Sequence, residues 1–263
     1  GVSGPPRDWD ELATIARKLT RHNGDSIERS GFGIGNWEDF VASFIWANGG
    51  RFLNEDQTAV LFDRPETVEA FTYLHDLVHS LEVARVAGRE DFLRGNVAMY
   101  VDGPWIFYEH YIQGSSMNFG VDHIPVPAGR PFVNFGSVGA YVVYEHSSLK
   151  DVAADFVMFM GSTEAQAFRV QKLKTGIRAD VLGDPRLEDV LSRYPQLIRA
   201  HEILEYSRIT PNHPLWAQIR DAVLDAFNRS VVDARESPGA ALARAAESMN
   251  ALLREFAIQE SEF

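Results

Sequence analysis

Along much of the chain, apolar residues recur every three or four positions, the period of a helix that buries one face. Trp9, Leu12, Ile15, Ala16 and Leu19 fall on one such stripe, and Asp8 with Glu11 three residues on is spaced as a capping box, which predicts a helix over 8–20. The same spacing predicts helices over 38–48, stopped by Asn48-Gly49-Gly50, and from Pro65, with Val68, Phe71, Leu74, Leu77, Val78 and Leu81 inward. It predicts further helices over 104–112, from Ser147 to Met160 (Val152, Ala153, Phe156, Val157 and Met160 on one face), and from Thr163. Two more follow Trp216 (Ile219, Val223, Leu224, Phe227) and Ser237-Pro238 (Leu242, Ala245, Met249, Leu252, Phe256).

Between these stretches lie short apolar runs closed by Gly or Pro, the pattern of buried strands: Phe32 to Gly35, Val97 to Val101, Asn118 to Ile124, and two segments within 132–144. Alternating strands and helices predict an α/β fold. The run Val97 to Val101 ends in Asp102-Gly103-Pro104, so Trp105 stands at a strand end, where open α/β sheets hold small ligands. A Trp on a rigid turn offers a flat apolar face that suits a sugar ring. The competing role for Trp105 is the first core residue of the helix that continues with Ile106, Phe107 and Tyr108. Trp37, beside Asn36 and after a strand, is either a cleft residue or a core or surface staple.

Composition narrows the chemistry. The 263 residues are 45% hydrophobic and 24% charged, a globular balance long enough for one large domain or two smaller ones. A net charge of −12 with acids spread along the chain argues against a nucleic-acid partner, since phosphate binding needs clustered Lys and Arg. The absence of cysteine removes thiol catalysis, zinc–thiolate sites and disulfides. No apolar run approaches the ~20 residues that span a bilayer, and no signal peptide opens the chain, so any export signal is expected upstream of residue 1. His75 and His79, one turn apart, lack a third ligand at a recognisable spacing, and no metal or cofactor is expected. The glycines at 31, 33 and 35 lack the spacing of a dinucleotide loop, and Gly136-Ser137-Val138-Gly139 puts its Ser at the wrong position for a nucleophile elbow.

The segment F-x-x-G-x-x-A-M-x-x-x-G-P-W, carried by Phe92, Gly95, Ala98, Met99, Gly103, Pro104 and Trp105, resembles the matching segment of the extracellular solute-binding proteins of bacterial ABC importers, in their carbohydrate-binding, maltose-binding-protein-like branch. Further tracts agree in family order from about residue 5 to about 256. They are Pro6-Arg7-Asp8-Trp9-Asp10-Glu11-Leu12, the W-A-N-G-G-R-F tract from Trp46, F-G-V-D-x-I-P-V-P from Phe119, P-x-x-P-x-W from Pro211 to Trp216, and the S-P-x-x-A-L ending from Ser237. Departures are Arg7 and Asp8 in the first tract. At Gly176-Ile177-Arg178 the family's Pro is also missing, and the Gly-to-Arg spacing is shorter.

The resemblance implies a two-lobe periplasmic-binding-protein-like fold (type II) from which roughly the first third, the opening N-terminal-lobe segment, is absent. Residues 1–117 and 163–263 would belong to the C-terminal lobe and 118–162 to the N-terminal lobe. It implies no catalysis. A sugar or oligosaccharide would be held in an interlobe cleft and delivered by hinge closure to ABC permease subunits, by a monomer that is periplasmic or anchored at the cell surface. It points to Trp105, Trp37, Trp216, Gly136, Ser137 and Arg178 as ligand-binding residues, with a surface ion pair to Asp180 or Asp184 as the ordinary alternative for Arg178. A glycoside hydrolase, which needs two carboxylates across a cleft, is the rival function. A non-binding fragment would instead leave 118–162 with sheet edges and an apolar face exposed.

Overall fold

The computed structural model describes residues 2–24, 26–112, 117–137 and 139–261. Helix α1 (Trp9–Leu19) starts at Asp8, whose carboxylate accepts the Glu11 N–H. In chain order there follow β1 (Arg21–Asn23), β2 (Ser26–Ile34), α2 (Glu38–Ala47), α3 (Pro65–His79), β3 (Ala84–Val86), α4 (Arg89–Leu93), β4 (Val97–Tyr100) and α5 (Trp105–Ile112). Then come β5 (Asn134–Phe135), α6 (Lys150–Met160), α7 (Thr163–Gln171), α8 (Glu188–Arg193), α9 (Gln196–Ile203), β6 (Ser207–Arg208), α10 (Trp216–Phe227) and α11 (Pro238–Ser261). The chain divides into two units, residues 1–101, 123–136 and 206–263 in the first and 102–122 and 137–205 in the second.

The first unit is built on β2. β3 and β4 flank it in parallel, with Phe32 opposite Ala84 and Met99, and β1 pairs antiparallel with its start, Arg21 opposite Arg29. Phe40, Phe44, Phe71 and Phe227 from α2, α3 and α10 pack as a ring cluster that β2 joins through Phe32. Helix α1 lies so close to β2 that a Cβ at Gly31 would meet the Ala16 carbonyl oxygen at 2.0 Å; only glycine fits there. The Trp9 indole donates to the Pro125 carbonyl, and Tyr73 stacks on Trp9 at 4.4 Å while its hydroxyl donates to the Trp9 carbonyl at 2.7 Å. The His75 and His79 rings lie 4.7 Å apart, and His79 Nε2 bonds the Val231 carbonyl. Among the described residues no three metal-ligating side chains gather.

The second unit holds α5 to α9 around a small core of Ala167, Val170, Val181 and Leu187. Two strand expectations fail, in segments that run across both units. Residues 118–124 form no strand, and of 132–144 only Asn134–Phe135 pairs, with β6; Val138 lies outside the described residues. Strand-forming side chains do not make a strand without a partner edge. Helix α6 forms with its apolar stripe, yet none of its residues is buried, and Val142 (83% exposed), Tyr144, Leu149, Val152, Phe156 and Met158 stand open.

Candidate functional site

At the carboxyl end of the parallel strands in the first unit, β2 stops at Ile34, and Gly35-Asn36-Trp37 turn the chain into α2. The Trp37 indole folds back over Gly35, where a Cβ would lie 2.4 Å from its outer ring edge. It packs on Phe40 and on Tyr100, the last residue of the neighbouring strand β4, and remains half-buried. Neither the bare core nor the bare surface describes it: one side of the ring is packed and part of it meets solvent. Trp216, the first residue of α10, donates its indole N–H to Glu38 at 3.0 Å and meets Phe52 edge-on at 5.1 Å. The starts of α2 and α10 are therefore brought together.

In the second unit Trp105 repeats the local geometry of Trp37. A Gly-x-Trp sequence again carries the indole back over its glycine, with a Cβ at Gly103 placed 2.2 Å from Cη2, and the Gly103 N–H donates to the Asp102 carboxylate. Trp105 is 37% exposed, while Ile106 and Phe107 are buried, so the core role falls to its two successors.

The other expected residues are differently placed. Gly136 sits where β5 approaches β6 so closely that a Cβ would meet Ser207 at 2.7 Å, and its N–H donates to the Arg208 carbonyl, so that donor is already used. Ser137 is exposed. Arg178 forks both oxygens of Asp180 at 2.8 Å, the ordinary alternative weighed for it, with a longer bond to the Gly161 carbonyl. Tyr100 and Phe52, unnoticed as site candidates in the sequence, are the aromatic neighbours of Trp37 and Trp216; the position of Tyr100 as the last residue of a strand was the available signal.

Carboxylate chemistry points away from hydrolysis at the acids that are shifted. Hydrogen bonds from Arg7, Arg178 and Arg186 hold Glu11, Asp180 and Asp184 below the usual carboxylate range, whereas a glycosidase acid needs its pKa raised.

The chain thus has an α/β frame with partly exposed indoles a few residues past strand ends, the place where such folds hold small ligands. Its family follows from comparison: residues 1–167 match the model of the bacterial extracellular solute-binding proteins, and the chain belongs to that family. A putative binding protein of Brucella abortus is 24% identical over 97% of this chain and 62% of its own length, and a maltotriose-binding protein of Pyrococcus abyssi is 23% identical over 84% and 50%. The chain thus spans about three fifths of the length of the first of these relatives and half of the second. The sugar-binding protein MalE of Xanthomonas citri superposes with a TM-score of 0.81 at 19% identity, covering 100% of this chain and 67% of that one. A substrate-binding protein of Listeria monocytogenes in complex with cycloalternan gives 0.78 at 23%, covering 96% and 66%. The fold is therefore that of the maltose-binding-protein-like solute receptors.

Proposed function

We propose that this chain is part of the solute-binding component of an ABC importer, taking up a sugar or oligosaccharide and handing it unaltered to membrane permease subunits from the periplasm or the cell surface. The observation that carries the reading is the pair of Gly-x-Trp turns. Each lays an indole flat over a glycine just past a strand end, which presents a rigid apolar face of the kind a pyranose stacks on. The family membership supports binding over catalysis, and the relatives named for maltotriose and cycloalternan support a carbohydrate. In this proposal Trp105 and Trp37 stack on the solute, Trp216 closes the same face as Trp37, and Ser137 offers a hydroxyl.

The proposal includes assigning residues 118–162 to an N-terminal lobe and the flanking segments to a C-terminal one. The uncovered apolar stripe of α6 and the unpaired 140–144 segment support it, since such surfaces match a partner element that the described residues do not contain. A thermal-shift screen over mono- and oligosaccharides tests the function. A ligand at a hundred times its Kd adds about 2.7 kcal/mol of stability, a readily measured rise in midpoint. Release of reducing sugar from an oligosaccharide would overturn the reading in favour of hydrolysis.

A further inference from the structure

Outside the indole turns, the first unit carries a cavity of about 250 Å³ whose lining includes Trp46, Arg51, Phe52, Asn54, Gln57 and Arg208. Its chemistry runs against that of the chain, which bears a net charge of −12. The Arg208 guanidinium lies 5.2 Å from the Trp46 ring centroid, and Trp46 is itself stacked on Phe135. Arg7, Arg178 and Arg186 each fork an acid, and Arg199 and Arg229 pair with two; Arg208 has no carboxylate and no side-chain hydrogen bond among the described residues. Desolvation lowers the Arg208 pKa, and the positive charge of Arg51 lowers it further. Among the described residues the acid on Arg51 is Glu55, which also lines the cavity, at 3.5 Å with both side chains in solvent; the lining keeps an excess of one positive charge.

The cavity wall carries a further polar residue. Gln57, on the cavity wall, holds φ at +55°, a left-handed conformation that a non-glycine residue adopts at a cost. The loop is held in this form by Asn54, whose side-chain oxygen accepts the Thr58 and Ala59 N–H groups. The Gln57 side-chain amide makes no hydrogen bond among the described residues, so the cavity that Arg51 and Arg208 line also carries an unused donor and acceptor.

Planar forks over an aromatic face are the arrangement that receives an oxyanion. We infer that this cavity binds the carboxylate or phosphate group of an anionic sugar, with Arg208 as the fork, Arg51 as the second cation and the Gln57 amide as a further donor. The inference rests on the sugar-binding reading and narrows it to acidic or phosphorylated sugars. Phe52, on the cavity wall, is also the ring that the Trp216 indole meets edge-on, so the cavity adjoins one of the proposed stacking residues through a shared neighbour.

The test is calorimetric titration of the protein and of its Arg208→Met variant, which keeps an aliphatic cover on Trp46, with glucose, glucuronate, glucose 6-phosphate and inorganic phosphate. Expected is tighter binding of glucuronate or glucose 6-phosphate than of glucose, with about a tenfold to hundredfold loss in the variant confined to the charged probes; which of the two prevails separates carboxylate from phosphate. Binding of phosphate in an Arg208-dependent way with every sugar silent would sink the sugar reading and keep the anion site. Equal affinity for glucose and both charged sugars, an unchanged preference in the variant, or no binding of any probe overturns the inference. So does a variant that loses charged and neutral probes alike and melts earlier without ligand, because Arg208 would then serve only to cover Trp46.

Discussion

Gly103→Ala is the sharpest perturbation of the proposed stacking surface. The new methyl carbon would lie 2.2 Å from Cη2 and 2.4 Å from Cζ2 and Cζ3 of Trp105, far inside the ~3.5 Å of a carbon–carbon contact. An indole is rigid and the Trp105 backbone is fixed at the start of α5, so the ring must swing off Gly103 into another rotamer. With 37% of the residue exposed, on the order of 90 Å² is open to a ligand. At ~25 cal/mol per Å² this corresponds to ~2 kcal/mol, or roughly 30-fold in Kd. Folding stability should change little, because Gly103 does not hold a left-handed φ and alanine lowers unfolded-chain entropy by about 0.4–1 kcal/mol. The assay is a fluorescence or calorimetric titration with any saccharide found to bind the unaltered protein, beside Trp105→Ala and beside Gly120→Ala, whose added Cβ would meet nothing within 4 Å. If Gly103→Ala binds as the unaltered protein does, while melting at the same temperature, the indole is not the stacking face and the argument is refuted.

Gly35→Ala should weaken the same ligand and also cost about 1–3 kcal/mol of stability, because Trp37 is packed on Phe40 and Tyr100 and has less room to move; an unchanged denaturant midpoint would contradict this. Tyr73→Phe leaves the Trp9 carbonyl without its 2.7 Å donor, and a loss of about 1–2 kcal/mol in chemical denaturation is expected. Asp184 is held near pKa 2, below its ordinary 3.8, by hydrogen bonds from the Arg186 side chain and backbone N–H. A carboxylate with a depressed folded-state pKa stabilises above its unfolded pKa and ceases to as pH falls through the folded one. The melting points of the unaltered protein and Asp184→Asn should thus differ above about pH 4 and converge near pH 2, and a constant gap across that window would exclude the linkage. Phe156→Ala should alter stability by no more than about 0.5 kcal/mol, since α6 buries no residue, whereas a packed Phe would cost about 3–5 kcal/mol.

Helices were legible wherever an apolar stripe met a partner face. Leu12 and Ala16 in α1, Phe40 and Phe44 in α2, Phe71, Leu74 and Leu77 in α3, and Leu242 and Ala245 in α11 are buried as their spacing predicts. β1 and β3 were missed because three residues carry no period, and β2 starts at Ser26, six residues before its apolar run, where Ile27, Glu28 and Arg29 show no alternation of hydrophobicity. The helices α8 and α9 went unread because neither starts at a side-chain cap, and α9 opens directly after Pro195. Helix α6 is the instructive case: Val152, Phe156 and Met160 keep the spacing of a buried face and are not buried. Periodicity records that a face is made to be covered, and it does so whether or not the covering element is among the described residues.

The site was legible in its residue types and less so in their roles, because a side chain's availability depends on what its polar atoms already bond. The Arg178 fork is committed to Asp180, the Gly136 N–H to the Arg208 carbonyl and the Trp216 N–H to Glu38, none of which a spacing can reveal. Gly-x-Trp at 35–37 and 103–105 was visible as a string, but only the closeness of each indole to its glycine explains why the first residue is glycine at both: any larger residue would evict the ring from its seat. By the same logic Arg208 gained interest from the structure alone, as a guanidinium on an aromatic face with no acid to hold it among the described residues. Groups whose bonding capacity is used up within the chain hold the scaffold, and those left over with their geometry fixed are the ones poised for a ligand. That criterion puts Trp37 and Arg208 ahead of Arg178 and Gly136, an order opposite to the one the family pattern suggests for the two arginines.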